Sequence, residues 1–194
     1  MKKTGTVFLS CLFLLLFASS VFARGGTYIA LRGGGSFLSS TDYMGGTLDF
    51  DTGYDASIAI GYNYIPGRVE VELGSRSNSF SCGVGNSCED TAISLMVSTY
   101  AEFYDQHIGG MNISTYFGGG LGMSRVAFNL IGGDNTDLVF SYQITFGVGH
   151  PLSDTMTLDV GYRYYSTEDP KFQNGTVSIQ NQGSSVFLGL RLEI

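Results

Sequence analysis

The stretch GYDASIAIGYNY, residues 53–64, alternates strictly between two kinds of side chain. An apolar or aromatic residue occupies every even position from Tyr54 to Tyr64, and a small or polar residue occupies every odd position from Asp55 to Asn63. Successive side chains of a β-strand point to opposite faces of the sheet, so a period of two indicates a strand. The stretch therefore predicts a β-strand with one apolar face and one polar face.

The same alternation recurs along the chain. Further strands are predicted near residues 27–38, 68–77, 92–104, 112–128, 138–149, 156–166 and 185–194. Each of these strands has about ten residues or more, which is the length that a tilted membrane-spanning strand needs. Beyond the first 23 residues no run approaches 18 consecutive apolar residues, so the sequence does not predict a membrane-spanning helix.

The links between the predicted strands alternate in length. Long links rich in Gly, Asp, Asn and Ser fall near 39–52, 78–90, 129–137 and 167–178, and shorter links fall near 65–67, 105–111 and 150–155. This order is typical of an up-and-down barrel whose long loops face outward and whose short turns face the periplasm. The predicted fold is an all-β, eight-stranded antiparallel transmembrane β-barrel.

The first 23 residues have the features of a cleaved export signal. Lys2 and Lys3 precede a mostly apolar run at residues 7–17, and Val21-Phe22-Ala23 resembles a signal-peptidase site. Residues 1–23 are therefore predicted to be removed, which leaves one barrel domain over residues 24–194. Without the two lysines the basic count falls from 10 to 8 against 17 acidic residues, so the formal charge becomes −9. Such a chain has no basic patch for nucleic acid.

The location of the charges distinguishes a membrane barrel from a soluble one. Charged and strongly polar residues fall on one alternating face, among many Gly, Ser and Ala residues: Arg32, Asp55, Glu70, Glu72, Arg76, Glu102, Gln143, Asp159, Arg163, Arg191 and Glu193. The opposite face is almost free of charge, which favours a narrow membrane barrel with a polar interior. Aromatic residues near strand ends, such as Tyr62, Tyr116 and Tyr165, are predicted to form the interfacial girdles.

Buried charges must be paired, so we expect the four arginines of that face to pair with Glu70, Glu72, Glu102, Asp159 or Glu193. The network is interpreted either as a structural plug of salt bridges or as the lining of a narrow pore for small solutes. A soluble ligand-binding β-barrel is the third alternative. Cys82 and Cys88, in the run CGVGNSC, predict a small disulfide in an oxidising compartment. No metal or cofactor site is predicted.

Two segments resemble a known family. Residues 147–154, GVGHPLSD, precede MTLDVGYRY at 156–164, and YFGGGLG stands at 116–122. These residues resemble the opacity-type small outer-membrane β-barrel family. The chain also ends like an outer-membrane strand with an assembly signal at Gly189, Leu192 and Ile194, although Phe187 replaces a polar residue and Ile194 replaces the usual Phe.

The resemblance implies an outer-membrane surface protein of a Gram-negative cell that stabilises the envelope or contacts host molecules through its loops. Membrane lipid, lipopolysaccharide and the barrel-assembly machinery are the implied partners. The loops are acidic, with one basic residue, Lys171. Bridging by divalent cations, attraction of a basic host protein and simple solubility all remain open as roles for their acidic residues: Asp42, Asp49, Asp51, Glu89, Asp90, Asp134, Asp137, Glu168 and Asp169.

A catalytic role is not predicted. The barrel domain has two histidines, His107 and His150, and both fall in predicted periplasmic turns. Barrel enzymes that act on lipid need a Ser-His pair near the outer leaflet.

Overall fold

Eight strands form one closed antiparallel sheet in the computed structural model. The structure describes residues 26–43, 46–48, 50–81, 87–108, 111–130, 133–169, 171–172, 177–178 and 181–194, so the predicted signal segment 1–23 lies outside the described residues. The barrel strands are β1 (Thr27–Leu38), β2 (Gly53–Tyr64), β3 (Gly67–Ser81), β4 (Ser87–Ile108), β5 (Met111–Leu130), β6 (Gly133–Ser153), β7 (Met156–Thr167) and β8 (Gln182–Glu193). Each strand pairs with the next, and β8 closes the barrel on β1. The predicted eight-stranded fold is confirmed.

The strands are staggered around the barrel. Ala101 of β4 lies opposite Phe117 of β5. The row of residues that face one another across successive strand pairs continues around the barrel through Tyr162 and Tyr54. It returns to β4 at Thr91, ten residues away from Ala101. A stagger of this size tilts the strands by about 35–45° to the barrel axis, and the interior is then just wide enough to be filled by side chains.

The middle strands are longer than predicted. Strands β3 to β6 contain 15, 22, 20 and 21 residues, whereas the other four contain 12 each. The predicted loops at 78–90 and 129–137 are therefore mostly strand, and so is much of the predicted short link at 105–111. A polar composition does not end an antiparallel hairpin beyond the membrane, because water there solvates the outward-facing polar side chains.

Short strand pairs lie in two of the long links. Thr41–Tyr43 pairs with Gly46–Leu48 in the first link, and Lys171–Phe172 pairs with Val177–Ser178 in the fourth. Among the described residues, no helix is long and apolar enough to cross a bilayer.

The outer face of the barrel is apolar. Large hydrophobic side chains from every strand are exposed there, including Ile58, Leu73, Leu95, Leu121 and Leu188. A water-soluble protein rarely exposes so continuous an apolar surface, whereas a membrane barrel needs one. The soluble ligand-binding alternative is therefore excluded.

Aromatic residues of the inner face stand opposite glycines on neighbouring strands. The four pairs are Tyr28–Gly61, Tyr100–Gly118, Tyr116–Gly147 and Phe187–Gly161. A Cβ atom at any of these glycines would overlap the facing ring, so the missing side chain makes room for the aromatic one. Tyr116 and Tyr165 are thus buried in the lumen, which corrects their predicted place in the girdles.

Candidate functional site: a chain of paired charges in the lumen

Five arginines and five carboxylates point into the barrel interior and are almost completely buried. They alternate with the lipid-facing residues of their strands, so strand periodicity turns all ten inward. We call this set the lumen charge chain. Its members are Arg32 on β1, Asp55 on β2, Arg68, Glu70, Glu72 and Arg76 on β3, Glu102 on β4, Asp159 and Arg163 on β7, and Arg191 on β8.

The chain begins near the extracellular end with Arg76. Its Nε lies 3.0 Å from Asp55 Oδ2, and Ser185 donates a hydrogen bond of 2.7 Å to the same oxygen. Arg163 continues the chain on the far side of Asp55, with Nη1 3.5 Å from Asp55 Oδ1. Its other terminal nitrogen, Nη2, lies 2.7 Å from Glu72 Oε2. The guanidinium of Arg163 therefore links two carboxylates.

The central part of the chain has the shortest contacts. Arg32 Nη1 lies 2.8 Å from Glu72 Oε2, and Arg32 Nη2 lies 2.6 Å from Glu70 Oε1. Arg68 contacts the same Glu70 oxygen, with Nε 3.2 Å from Oε1, and places Nη1 2.5 Å from Glu102 Oε2. Short charge-assisted contacts of this kind are the stronger hydrogen bonds of proteins.

The periplasmic end of the chain is formed by Arg191. Its Nη2 lies 3.0 Å from Glu102 Oε1, and its Nε lies 2.9 Å from Asp159 Oδ2. The nine ion pairs among the described residues thus join ten groups in one unbranched sequence from Arg76 to Asp159, with positive and negative charges in strict alternation. The five positive and five negative charges balance, so each buried charge has a partner of opposite sign and the most costly case, an uncompensated buried charge, is avoided.

Aromatic rings cover the guanidinium groups. Arg68 lies between two rings, with its Cζ 4.4 Å from the centroid of Tyr100 and 4.2 Å from that of Tyr116. Arg76 stacks on Tyr165 at 3.9 Å, and Arg163 lies 5.2 Å from Phe187. The electron-rich faces of the rings attract the cations and fill the space between them. Phe187, a departure from the assembly signal in the sequence, therefore has a packing role inside the barrel.

The opposite wall is lined by small residues. Ser94 and Ser98 of β4, Gly120 of β5 and Ser141 of β6 face the charges. Gln143 of β6 reaches across the lumen, donating from Nε2 to Ser98 Oγ at 3.0 Å and to Glu72 Oε1 at 3.4 Å. Small side chains on this wall leave room for the long arginines of the other wall.

The structure brings together most of the residues predicted to form the network. Arg32, Glu70, Glu72, Arg76, Glu102, Asp159, Arg163 and Arg191 all belong to the lumen charge chain. Glu193 does not: it is exposed at the periplasmic rim, where Asn63 Nδ2 donates a 3.1 Å hydrogen bond to it. Position 193 keeps the inward alternation but lies beyond the end of the lumen.

The prediction did not include Arg68, although this residue links Glu70 to Glu102 in the periplasmic half of the lumen charge chain. Its spacing could have indicated an inward position, because Arg68 stands two residues before Glu70 and therefore lies on the same face of the strand. It follows the turn at Pro66 and Gly67, where a basic residue is easily assigned to the water-exposed rim.

The other predicted site residues lie apart from the charges. Gly189 faces the lumen beside Arg32, and Ile194 is exposed at the end of the chain. Cys88 is buried opposite Phe80 on the extension of β4, whereas Cys82 lies outside the described residues, so their pairing stays a prediction. His150 Nδ1 lies 2.8 Å from the Asn112 carbonyl oxygen at the periplasmic end, and the side chain of His107 lies outside the described residues.

A closed barrel with an apolar outer wall and a polar, charge-paired interior defines a membrane-spanning β-barrel protein. The chain belongs to the outer membrane protein β-barrel domain family, whose model matches residues 9–191. This membership supports a location in the outer membrane.

Three solved structures illustrate the similarity of fold. Neisserial surface protein A is 20% identical, with a TM-score of 0.65 over 88% of this chain and 99% of that one. The attachment invasion locus protein Ail of Yersinia pestis is 15% identical, with a TM-score of 0.52 over 88% and 99%. Outer membrane protein H of Pseudomonas aeruginosa is 18% identical, with a TM-score of 0.51 over 87% and 99%. A comparison with curated protein sequences gives no match.

Proposed function

We propose that this protein is a non-conducting surface protein of the outer membrane, with a structural role or a role in binding through its loops. The lumen charge chain is the observation that carries this proposal. It crosses the interior from Arg76 to Asp159, and each inner member contacts two partners of opposite charge. A solute would have to separate these pairs, and separating a buried pair costs roughly 3–5 kcal/mol.

Single-channel recording in planar lipid bilayers tests the proposal. We expect the wild-type barrel to give no reproducible conductance steps. The double variant Arg32→Ser, Glu72→Ser is the matched control, because it removes one charge of each sign from the centre of the lumen and widens it there. Steps from the double variant show that the assay detects an open lumen. Equally large steps from the wild type would overturn the proposal.

A narrow pore for small solutes is the second candidate function. A cavity of about 150 Å³ at the periplasmic mouth favours it, and this cavity reaches the lower end of the charge chain at Glu102 and Arg191. Higher in the lumen, both terminal nitrogens of Arg76 have no hydrogen-bond partner among the described residues. Buried polar groups without a protein partner are the groups to which ordered water binds in protein interiors. The bilayer recordings distinguish this candidate from the plug.

The loop-binding role rests on charge. Glu89, Glu168 and Asp169 are exposed near the extracellular end, and the formal charge of residues 24–194 is −9. Ail was crystallised with the heparin analogue sucrose octasulfate. The acidic surface of this chain favours a basic partner instead, or lipopolysaccharide phosphates bridged by divalent cations. Asp90, assigned to the loops from the sequence, is buried and cannot take part in surface contacts.

Binding can be measured with the intact barrel in lipid nanodiscs. We expect a basic host protein or cation-bridged lipopolysaccharide to bind the wild type. This binding should be lost when the four long links are replaced by short turns. Retention of the ligand by the short-turn barrel would place binding on the wall and overturn the loop role. We also propose that the protein has no catalytic activity and that the barrel-assembly machinery inserts it through the strand end at Gly189, Leu192 and Ile194.

A further inference from the structure

Two adjoining hollows lie in the outer wall of the barrel. The upper hollow has a volume of about 600 Å³ and lies where β4, β5 and β6 meet around Gly119. The lower hollow, of about 370 Å³, extends from Gly119 to Pro66 in the turn between β2 and β3. Thr99 and Gly119 line both hollows, so the two form one continuous depression. We call this depression the wall groove.

The groove exists because small residues face outward along its floor. Thr99 of β4 lies opposite Gly119 of β5. The exposed side chains of Val69 on β3 and Ile144 on β6 stand on either side of this pair. Ala101 continues the floor toward the periplasmic end of β4. The floor therefore lies below the level of the surrounding apolar wall.

The groove runs nearly parallel to the membrane normal. Tyr142 lies opposite Leu121, which stands two residues above Gly119 on β5. Gly119 lies opposite Thr99, which stands two residues above Ala101 on β4. Each step along the floor thus moves one strand across, by about 4.8 Å, and two residues toward the periplasm, by about 6.6 Å. Rows of facing residues descend from β6 to β4, because a row followed from β4 through β5 returns to β4 nearer its extracellular end. At a strand tilt of about 35–45° the lateral parts of the two movements are therefore opposite and nearly equal.

Most of the groove lies in the periplasmic half of the membrane. On β5, Gly119 stands midway between Asn112, exposed at the periplasmic end, and Arg125, exposed at the extracellular end of the apolar band. The lower end of the groove lies beside Tyr64 and Pro66 at the periplasmic turn. This extent corresponds to one leaflet, which is half of a hydrocarbon core about 30 Å thick.

The lining offers little to a polar ligand. None of the residues that line the groove is charged. The hydroxyl of Thr99 on the floor lies 3.1 Å from the hydroxyl of Tyr64, so these two groups hydrogen-bond to each other. The groove is also continuous with the apolar outer wall, which is the surface that contacts lipid. An unbranched apolar chain that lies along the membrane normal fits both this lining and this direction.

We propose that the wall groove holds one acyl chain of a phospholipid from the periplasmic leaflet, with the headgroup at the level of Tyr64 and the end of the chain near Gly119. Contacts between apolar groups in a bilayer depend on van der Waals packing, because lipid is as apolar as the protein wall. A chain in the groove touches a floor and two sides, whereas a chain on the flat wall touches one surface. The groove therefore retains a lipid longer than the rest of the wall does, whether or not the lumen conducts.

Photo-crosslinking in nanodiscs that each hold one barrel tests the site, because no second copy can then fill the groove. Two phospholipid probes carry a diazirine on one acyl chain, either near the carboxyl end or at the terminal carbon, and mass spectrometry maps the adducts. We expect the terminal probe to label Gly119 and Thr99, and the other probe to label Ala101 and Pro66. Adducts in the groove should exceed those at the middle of β1 about fivefold, since roughly ten additional carbon–carbon contacts favour the groove by a factor of this order.

Gly119→Leu fills the floor and is the deciding variant. An added Cβ there meets one atom within 4 Å, the Gln143 carbonyl oxygen at 3.4 Å, so the barrel should still fold. Adducts at Thr99 and Ala101 should then fall to the level of β1. Gly33→Leu is the matched control on β1, where an added Cβ meets nothing within 4 Å, and it should keep the wild-type pattern in the groove.

Heat-dependent gel mobility shows whether each variant is folded, and the wild-type comparison of the groove with β1 stands without either variant. Equal labelling of the groove and of β1, a reversed order of the two probes along the groove, or wild-type labelling of folded Gly119→Leu would each overturn the proposal.

Discussion

Phe187 on β8 lies directly opposite Gly161 on β7, and its ring occupies the space that a side chain at position 161 would need. The same ring lies beside the guanidinium of Arg163, so the pair connects the packing of the barrel wall to the lumen charge chain. The absence of a side chain at position 161 thus leaves room for a ring that packs against an arginine of the charge chain.

Gly161→Ala should destabilise the barrel by roughly 1–3 kcal/mol, because the added methyl group forces the Phe187 ring out of place. Unfolding by urea in detergent micelles, followed by gel mobility, measures the change. Gly33→Ala is the matched control, since a Cβ there meets nothing within 4 Å, and should change little. The double variant Gly161→Ala, Phe187→Leu should regain part of the loss. Equal effects of the two glycine substitutions would contradict this account.

Arg68→Met should cost about 3–5 kcal/mol, because Glu70 and Glu102 each lose a partner inside the lumen. Arg125→Met offers a comparison of the same chemistry on the outer face, where the side chain is exposed, and should stay within about 0.5 kcal/mol. The same urea titration serves for both. If Arg68→Met is as mild as Arg125→Met, the paired charges do not stabilise the barrel.

Asp90→Asn should stabilise the protein at neutral and higher pH and have little effect below about pH 4. Burial raises the pKa of Asp90 to about 7, so the folded state binds its proton more tightly than the unfolded state does. Wild-type stability therefore falls as pH rises from about 4 to 7, by at most about 1.4 kcal/mol per pH unit. Thermal unfolding of both proteins in micelles across this range measures the difference. Parallel stability curves would show that Asp90 is not buried as an acid.

Cys82 and Cys88 should contain no free thiol in protein isolated from the membrane, since the short span between them suits a loop-closing disulfide. Alkylation before and after reduction, followed by mass spectrometry, gives the thiol count. Cys82→Ser should then expose one reactive thiol at Cys88. Two alkylated cysteines in unreduced wild type would show that the bridge does not form.

Much of the fold could be predicted from the alternation of side chains within individual strands. The alternation in residues 53–64 and its repeats predicted eight strands, the apolar outer face and the inward position of nine of the ten members of the charge chain, all except Arg68. The lengths of β3 to β6 could not be predicted in the same way, because polar residues on the hairpin extensions have the composition of loops. Glu193 had the correct alternation and was still placed wrongly, because alternation does not report how far the lumen extends.

The sequence by itself determined which residues share a face of each strand, since that depends only on the local period of two. The charges on one of the two faces then indicated the interior. The tertiary structure alone decided which interior residues meet. Arg163 and Glu72 are 91 residues apart, and Ser185 and Asp55 are 130 apart. They meet because the stagger of ten residues around the closed sheet brings particular positions of separate strands to one level. Closure of the barrel therefore turns scattered charges into one alternating chain.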